Sequence, residues 1–198
     1  MGADDVAGPC YLGPHTIATA SGAMFDYASP RSWDGNLDDV VTGLSNVCRF
    51  AGQLQTFYSV AEHCCLVHDL VARVHGGRDI RLAALLHDGH EAFLGDVPRP
   101  LKPLLGEAFA LLAGSLDVVI AARIGISPDL FYDPSIKAAD DEALRIEGFH
   151  LAAPGVWEPR PIPAGIIWGG GAMPYSAKRA LRRRLAELGV QLGPRDGA

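Results

Sequence analysis

The sequence predicts an all-α protein built as one domain. Apolar residues recur at three-and-four spacing through successive segments, Gly- and Pro-rich stretches separate those segments, and no internal repeat interrupts the order. A chain of 198 residues that is 48% hydrophobic can bury one substantial core. A helical bundle is the simplest architecture that hides such stripes.

Residues 1–35 lack periodicity and are rich in Gly, Ala, Ser and Pro. Met24-Phe25-Asp26-Tyr27 is their compact apolar element, so an arm or short hairpin packed on the core is expected. The helical domain takes residues 36–198. Val40, Val41, Leu44, Val47 and Cys48 follow Asn36 and Asp38, either of which can cap a helix. Residues 59–74 repeat the rhythm through Val60, Ala61, Cys64, Val67, Leu70, Val71 and Val74, and Gly76-Gly77 supplies a stop. A third helix is expected over 80–93, with Asp79 as its cap. The prolines of residues 98–103 predict a rigid loop. Helices are expected again over 107–123 and 135–150, an extended excursion over 153–174, and a last helix over 176–188. Its Lys178, Arg179, Arg182, Arg183 and Arg184 read as a solvated face.

A net charge of −6 gives no general positive field, which argues against long DNA or RNA as a partner and leaves a mononucleotide open. Cys10, Cys48, Cys64 and Cys65 form no CxxC pair and read as reduced thiols. With no leader pattern and no run of ~20 apolar residues, the expectation is a cytoplasmic protein with no membrane span.

His63, the adjacent pair His87-Asp88, and Asp140 carry the chemistry, each expected inside a helix with an apolar opposite face. Two imidazoles and two carboxylates suit one divalent transition metal (cobalt, manganese, zinc, nickel or iron) and leave coordination positions for water and a phosphate. Facing helices of a bundle bring such ligands together. Glu91 follows His87 by one expected helical turn, and Asp96 follows Gly95, where the chain can fold back toward the same cavity. Consecutive helical side chains diverge by about 100°, so only one of Asp140 and Asp141 can serve. Asp140 borders the apolar face, whereas Asp141 lies toward solvent with Lys137.

The run Leu85-Leu86-His87-Asp88-Gly89-His90-Glu91-Ala92-Phe93-Leu94-Gly95-Asp96-Val97-Pro98, with Pro100-Leu101-Lys102 after it, resembles the HD-domain metal-dependent phosphohydrolases of bacteria and phages. Within that superfamily it is most similar to 5′-deoxynucleotidases and phage dATP triphosphohydrolases. Cys48-Arg49-Phe50-Ala51-Gly52-Gln53, the stretch from Phe57 to His63, and Ile136-Lys137-Ala138-Ala139-Asp140 extend the likeness over roughly residues 20–150. The resemblance implies an HD-domain bundle in which His63, His87, Asp88 and Asp140 hold the metal. It further implies that Glu91 and Asp96 orient and deprotonate the attacking water and that Arg49 grips phosphate. Lys102 and Lys137 would contact phosphate, and Phe50 would lie near a deoxyribose. The implied substrate is a deoxynucleoside mono- or triphosphate, and a homo-oligomer is expected. His90 reads either as a donor behind the metal pair or as a surface residue.

Two branches of the superfamily fit less well. The chain lacks the Gly-Tyr-Pro of HD-type cyclic dinucleotide phosphodiesterases, and it has Glu91-Ala92 where alarmone hydrolases carry Glu-Asp. The competing class is a non-catalytic nucleotide sensor that keeps the scaffold; the intact ligands and acidic helpers weigh against it.

Overall fold

The computed structural model describes residues 13–193; Cys10 and the first part of the N-terminal segment lie outside the described residues. β1 (Thr16–Ala18) pairs antiparallel with β2 (Met24–Asp26), Ile17 opposite Phe25. Phe25 is fully buried and stacks on Phe93 with ring centroids 4.3 Å apart, which closes the hairpin onto the helical body.

The rest of the described chain is mostly helical. α1 (Leu37–Asn46) begins at Asn36, whose side chain accepts from the Asp39 amide, satisfying one of the donors a helix start leaves open. The expected continuation through Val47 and Cys48 does not form. The Val47 carbonyl accepts from Val60, and the Arg49 amide donates to Tyr58 at 2.8 Å, so this backbone pairs with the segment ahead of the next helix. α2 (Val60–Ala72) starts with a reciprocal cap between Ser59 and Glu62. It packs against α1, and against α3 (Arg78–Leu86), α6 (Pro134–Leu151) and α7 (Pro174–Glu187), which makes it the central helix.

The single helix expected over 80–93 is two pieces. Gly77, not Asp79, caps α3, which ends at Leu86; a turn over 87–90 follows, then α4 (Glu91–Leu94). Within the turn the amides of Gly89 and Glu91 bond three residues back, to Leu86 and Asp88. The turn packs closely on α5: a β-carbon at Gly89 would come within 2.9 Å of the Ile120 side chain. His87 and Asp88 therefore stand in a turn rather than inside a helix.

α5 (Lys102–Ile124) starts earlier than the prolines suggested, since Pro103 occupies the first turn, where no donor is required. Gly106, at φ 73°, breaks its path, so the regular stretch begins at Glu107 as expected. By length and composition α5 could cross a membrane, contrary to the expectation of no such run. Asp117 within it bonds His90 and Tyr132, and Arg123 donates to the carbonyls of Trp33 and Gly35. These contacts join α5 to the remainder of the fold.

The basic run of α7 is not a uniform solvated face. Lys178 lies 3.2 Å from Asp38, Arg182 pairs with the same carboxylate, and Arg184 grips Asp69 through two bonds of 3.0 and 2.6 Å. Each is largely shielded, so these cations tie α7 to α1 and α2. Arg183 keeps the expected exposure beside Glu187.

The approach of α1 to α4 depends on Gly43, where a β-carbon would lie 2.6 Å from the Ala92 carbonyl oxygen. Gly43→Ala is expected to destabilise the fold by about 1–3 kcal/mol through overpacking. Thermal unfolding should show a midpoint several degrees lower; an unchanged midpoint would mean that the two helices are not in close contact.

Candidate metal centre

α2 presents His63 one turn after its cap, with its side chain fully buried. Its Nδ1–H donates to Glu147 Oε1 at 2.7 Å, and the His87 Nδ1–H donates to the Ala84 carbonyl at 3.0 Å. With both Nδ1 atoms committed, both Nε2 atoms are turned inward, 3.3 Å apart. Asp88 Oδ2 stands 3.5 Å from His63 Nε2 and 3.3 Å from His87 Nε2; Asp140 Oδ1, from α6, stands 3.3 Å from His63 Nε2. His63, His87 and Asp88 offer atoms that all lie within 4.8 Å of one another. The structure thus brings three of the expected ligands into one mutual cluster, with Asp140 joining it at His63.

The donor set fits a divalent transition metal. Atoms 3.3–3.5 Å apart match the spacing of neighbouring ligands at bonds of about 2.0–2.2 Å. Electrostatics point the same way. Burial works against charge on His87, yet Asp88 and Asp140 outweigh it and push this imidazole up to about 9. Burial would raise the two aspartates, but the facing imidazoles hold both well below the usual carboxylate range. The cluster is built to surround positive charge.

A shell behind the ligands holds them in place. Glu147 is wholly buried; its Oε1 receives His63 Nδ1–H and the Tyr58 hydroxyl at 3.0 Å, while its Oε2 has no hydrogen bond and pairs by charge with Arg49 Nε, 3.3 Å away. Arg49 Nη1 also lies 3.5 Å from Asp88 Oδ2. Burial opposes the guanidinium charge, but Glu147 and Asp88 hold its pKa above the ordinary value. The following turn carries Phe50 at φ 56° and Ala51 at φ 50°, a left-handed conformation that non-glycine residues adopt at a cost. This strain places Arg49 inward and aims the Ala51 amide at Asp96 Oδ2, 3.4 Å away. Phe50 meets the edge of Trp157 with centroids 6.4 Å apart and lies under the Arg49 guanidinium.

Glu91 is buried beside Asp88, and its Oε2 has no hydrogen-bond partner. Burial first, then Asp88 and Asp96, push its carboxyl well above the usual range. Lys102 Nζ lies 3.7 Å from Glu91 Oε1, while Lys137 is engaged with Asp141 at 2.7 Å and Asp140 at 3.5 Å. His90 is not a surface residue: it is buried and its Nδ1 bonds Asp117 at 2.9 Å.

No protein-family model matches the chain. The uncharacterized protein YfdR of Escherichia coli is 39% identical over 124 residues, which cover 63% of this chain and 65% of YfdR. An uncharacterized protein of Rhodobacter capsulatus is 38% identical over 139 residues, covering 67% of this chain and 70% of that protein. The chain belongs to the family of the Rhodobacter capsulatus protein and spans just under two thirds of YfdR. Membership in the family brings no activity with it, so the functional reading rests on the site.

Reasoning from the sequence did not assign Glu147, Tyr58 or Arg99 to the site. Glu147 was within reach, seven residues after Asp140 and therefore on nearly the same helical face. Arg99 was not: it sits in an irregular loop, yet its two nitrogens bridge Asp140 at 2.6 Å and Asp141 at 2.5 Å.

Asp140→Ala should abolish metal binding, whereas Asp141→Ala should leave it nearly intact, because Asp141 faces Lys137 and Arg99 and not the imidazoles. Glu147→Gln should weaken metal binding by about 10–100-fold by loosening His63. Calorimetric metal titration checks all three, and wild-type affinity in Asp140→Ala would remove that residue from the ligand set.

Proposed function

We propose that this chain is an HD-type metal-dependent phosphohydrolase whose substrates are deoxynucleotides or closely related nucleotides. The observation that carries the reading is the convergence of two imidazole Nε2 atoms and two carboxylates, 3.3–3.5 Å between neighbours, with the Arg49 guanidinium on one of those carboxylates. His63, His87, Asp88 and Asp140 would hold one divalent ion. When bound, such an ion supplies a Lewis acid that acidifies water and offsets phosphoryl charge.

The chain's own residues supply the rest. Glu91 can hold a proton at Oε2, which has no competing partner, beside the ligand Asp88. Hydrolysis needs a group that takes a proton from water and returns one to the leaving oxygen, and Glu91 has the placement for that exchange. Asp96, held on the Ala51 amide, adds negative charge near Glu91 and keeps its proton affinity high. Arg49 neutralises charge from inside the site. Arg99, 46% exposed, and Lys102, 36% exposed, present cations at the rim that can meet phosphate oxygens. Phe50, partly buried beside Arg49, offers an apolar surface to a sugar lacking its 2′-hydroxyl.

Purified protein incubated with Mn²⁺, Co²⁺ or Zn²⁺ and a panel of ribo- and deoxynucleoside mono- and triphosphates should release phosphate or polyphosphate, with deoxynucleotides preferred. Excess chelator should stop turnover, and transition metals should restore it better than Mg²⁺ because imidazoles favour them. Full activity after verified metal removal, or no product with any metal and nucleotide, would overturn the proposal. Arg49→Lys keeps the charge and loses the planar fork. It should cut turnover by about 10–100-fold while metal stoichiometry stays at the wild-type value, as read by steady-state kinetics and metal analysis.

A further inference from the structure

α2 has a second chemically loaded face. Beside the metal centre, a solvent-open cavity of about 690 Å³ is lined by α2, Arg81 of α3, the 165–172 stretch and α7. Its size falls within the range of about 300–1,000 Å³ typical of small-molecule sites and far exceeds the needs of a simple ion.

The charges around it do not cancel. Asp69 is taken by Arg184, Glu187 by Arg183, and Glu62 by the amides of Ser59 and Ala172. Arg73 donates to the Ala164 carbonyl, and Arg81 reaches His68 Nε2 with two nitrogens at 3.3 Å. His68 Nδ1 in turn bonds Asp69 Oδ1 at 2.8 Å. Arg73 and Arg81 therefore have no carboxylate partner among the described residues, though both line the cavity. Four arginines against three carboxylates leave the lining with a net positive charge, and two guanidinium forks without a carboxylate partner suit an oxyanion with an organic body attached.

The cavity is also wired to the metal centre. Trp168 lines it and donates through Nε1 to the Tyr58 hydroxyl at 3.1 Å; Tyr58 donates to Glu147 at 3.0 Å; Glu147 holds His63 at 2.7 Å. A ligand that shifts Trp168 acts on the orientation of a metal-binding imidazole through three consecutive hydrogen bonds.

We propose that this cavity is a regulatory site for a phosphorylated organic anion, bound by Arg73 and Arg81 and coupled to the metal centre through Trp168, Tyr58 and Glu147. The coupling rests on the metal-centre reading above; the binding site does not.

The test titrates metal-loaded, full-length protein with inorganic phosphate, nucleoside mono- and triphosphates and citrate, following tryptophan emission and heat. A saturable emission change is expected with the nucleotides, with inorganic phosphate and citrate much weaker. Arg73→Ala and Arg81→Ala should each weaken that phase by about tenfold or more while retaining wild-type metal affinity and chelator-sensitive turnover. Trp168→Phe should lose the emission change and keep the heat. Metal titration with and without the nucleotide should differ in affinity by about fivefold or more in the wild type, and Tyr58→Phe should abolish the difference. No saturable phase, a phase untouched by both arginine substitutions, or citrate binding as well as nucleotides overturns the site. An unshifted metal affinity at saturating nucleotide overturns the coupling. Loss of phosphate release in wild-type protein with the arginine-dependent phase intact would count against the phosphohydrolase reading alone.

Discussion

Glu147 carries a negative charge with no exposure to water. Removing a carboxylate from solvent costs several kcal/mol, a penalty offset only by close opposite charge and by donors that fill its lone pairs. These partners come from separate parts of the chain: His63 from α2 and Tyr58 from the segment before it donate to Oε1, and the opposite charge comes from Arg49 in the strained turn after α1. The approach of α6 to α2 is thereby tied to the chemistry. Packing these helices without the two donors and the guanidinium would leave a bare buried charge, and separating them would free the imidazole.

The same constraint explains why irregular backbone gathers at the site. A regular helix through 80–93 would diverge His87 from Asp88 by about 100° and carry Glu91 onward along one line. The turn over 87–90 instead lets His87 and Asp88 approach one point and places Glu91 at the start of α4, next to Asp88. On the other side of the site, left-handed Phe50 and Ala51 turn Arg49 inward and point an amide at Asp96. Strain in these segments is sustained by regular helices around them, chiefly α1 against α4 and α2 against α6.

Charge also organises the face of α2 away from the metal ligands. Lys178, Arg182 and Arg184 anchor α7 on Asp38 and Asp69, which fixes one wall of the large cavity. Arg73 and Arg81 remain on its other walls without carboxylate partners. A helix that bears a candidate metal ligand on one side and the proposed anion pocket on the other gives both features a common rigid support, with Glu62 and His63 as adjacent residues facing the two.

Much of this was legible in the sequence. Helical spacing marked the long helices, Asn36 or Asp38 marked the start of the first, and the residue types at 63, 87, 88 and 140 indicated a metal. These signals are local: periodicity and capping act within one or two turns. What tertiary structure alone decided is of longer range. The break after Leu86 lies where Gly89 packs closely on α5, and the burial of basic residues in α7 follows from Asp38, 144 positions away from Arg182. The Glu147 bond to His63 spans 84 positions. A helical pattern states which face will be buried and is silent on which buried charges will meet, because that pairing is settled only when distant segments exclude water together.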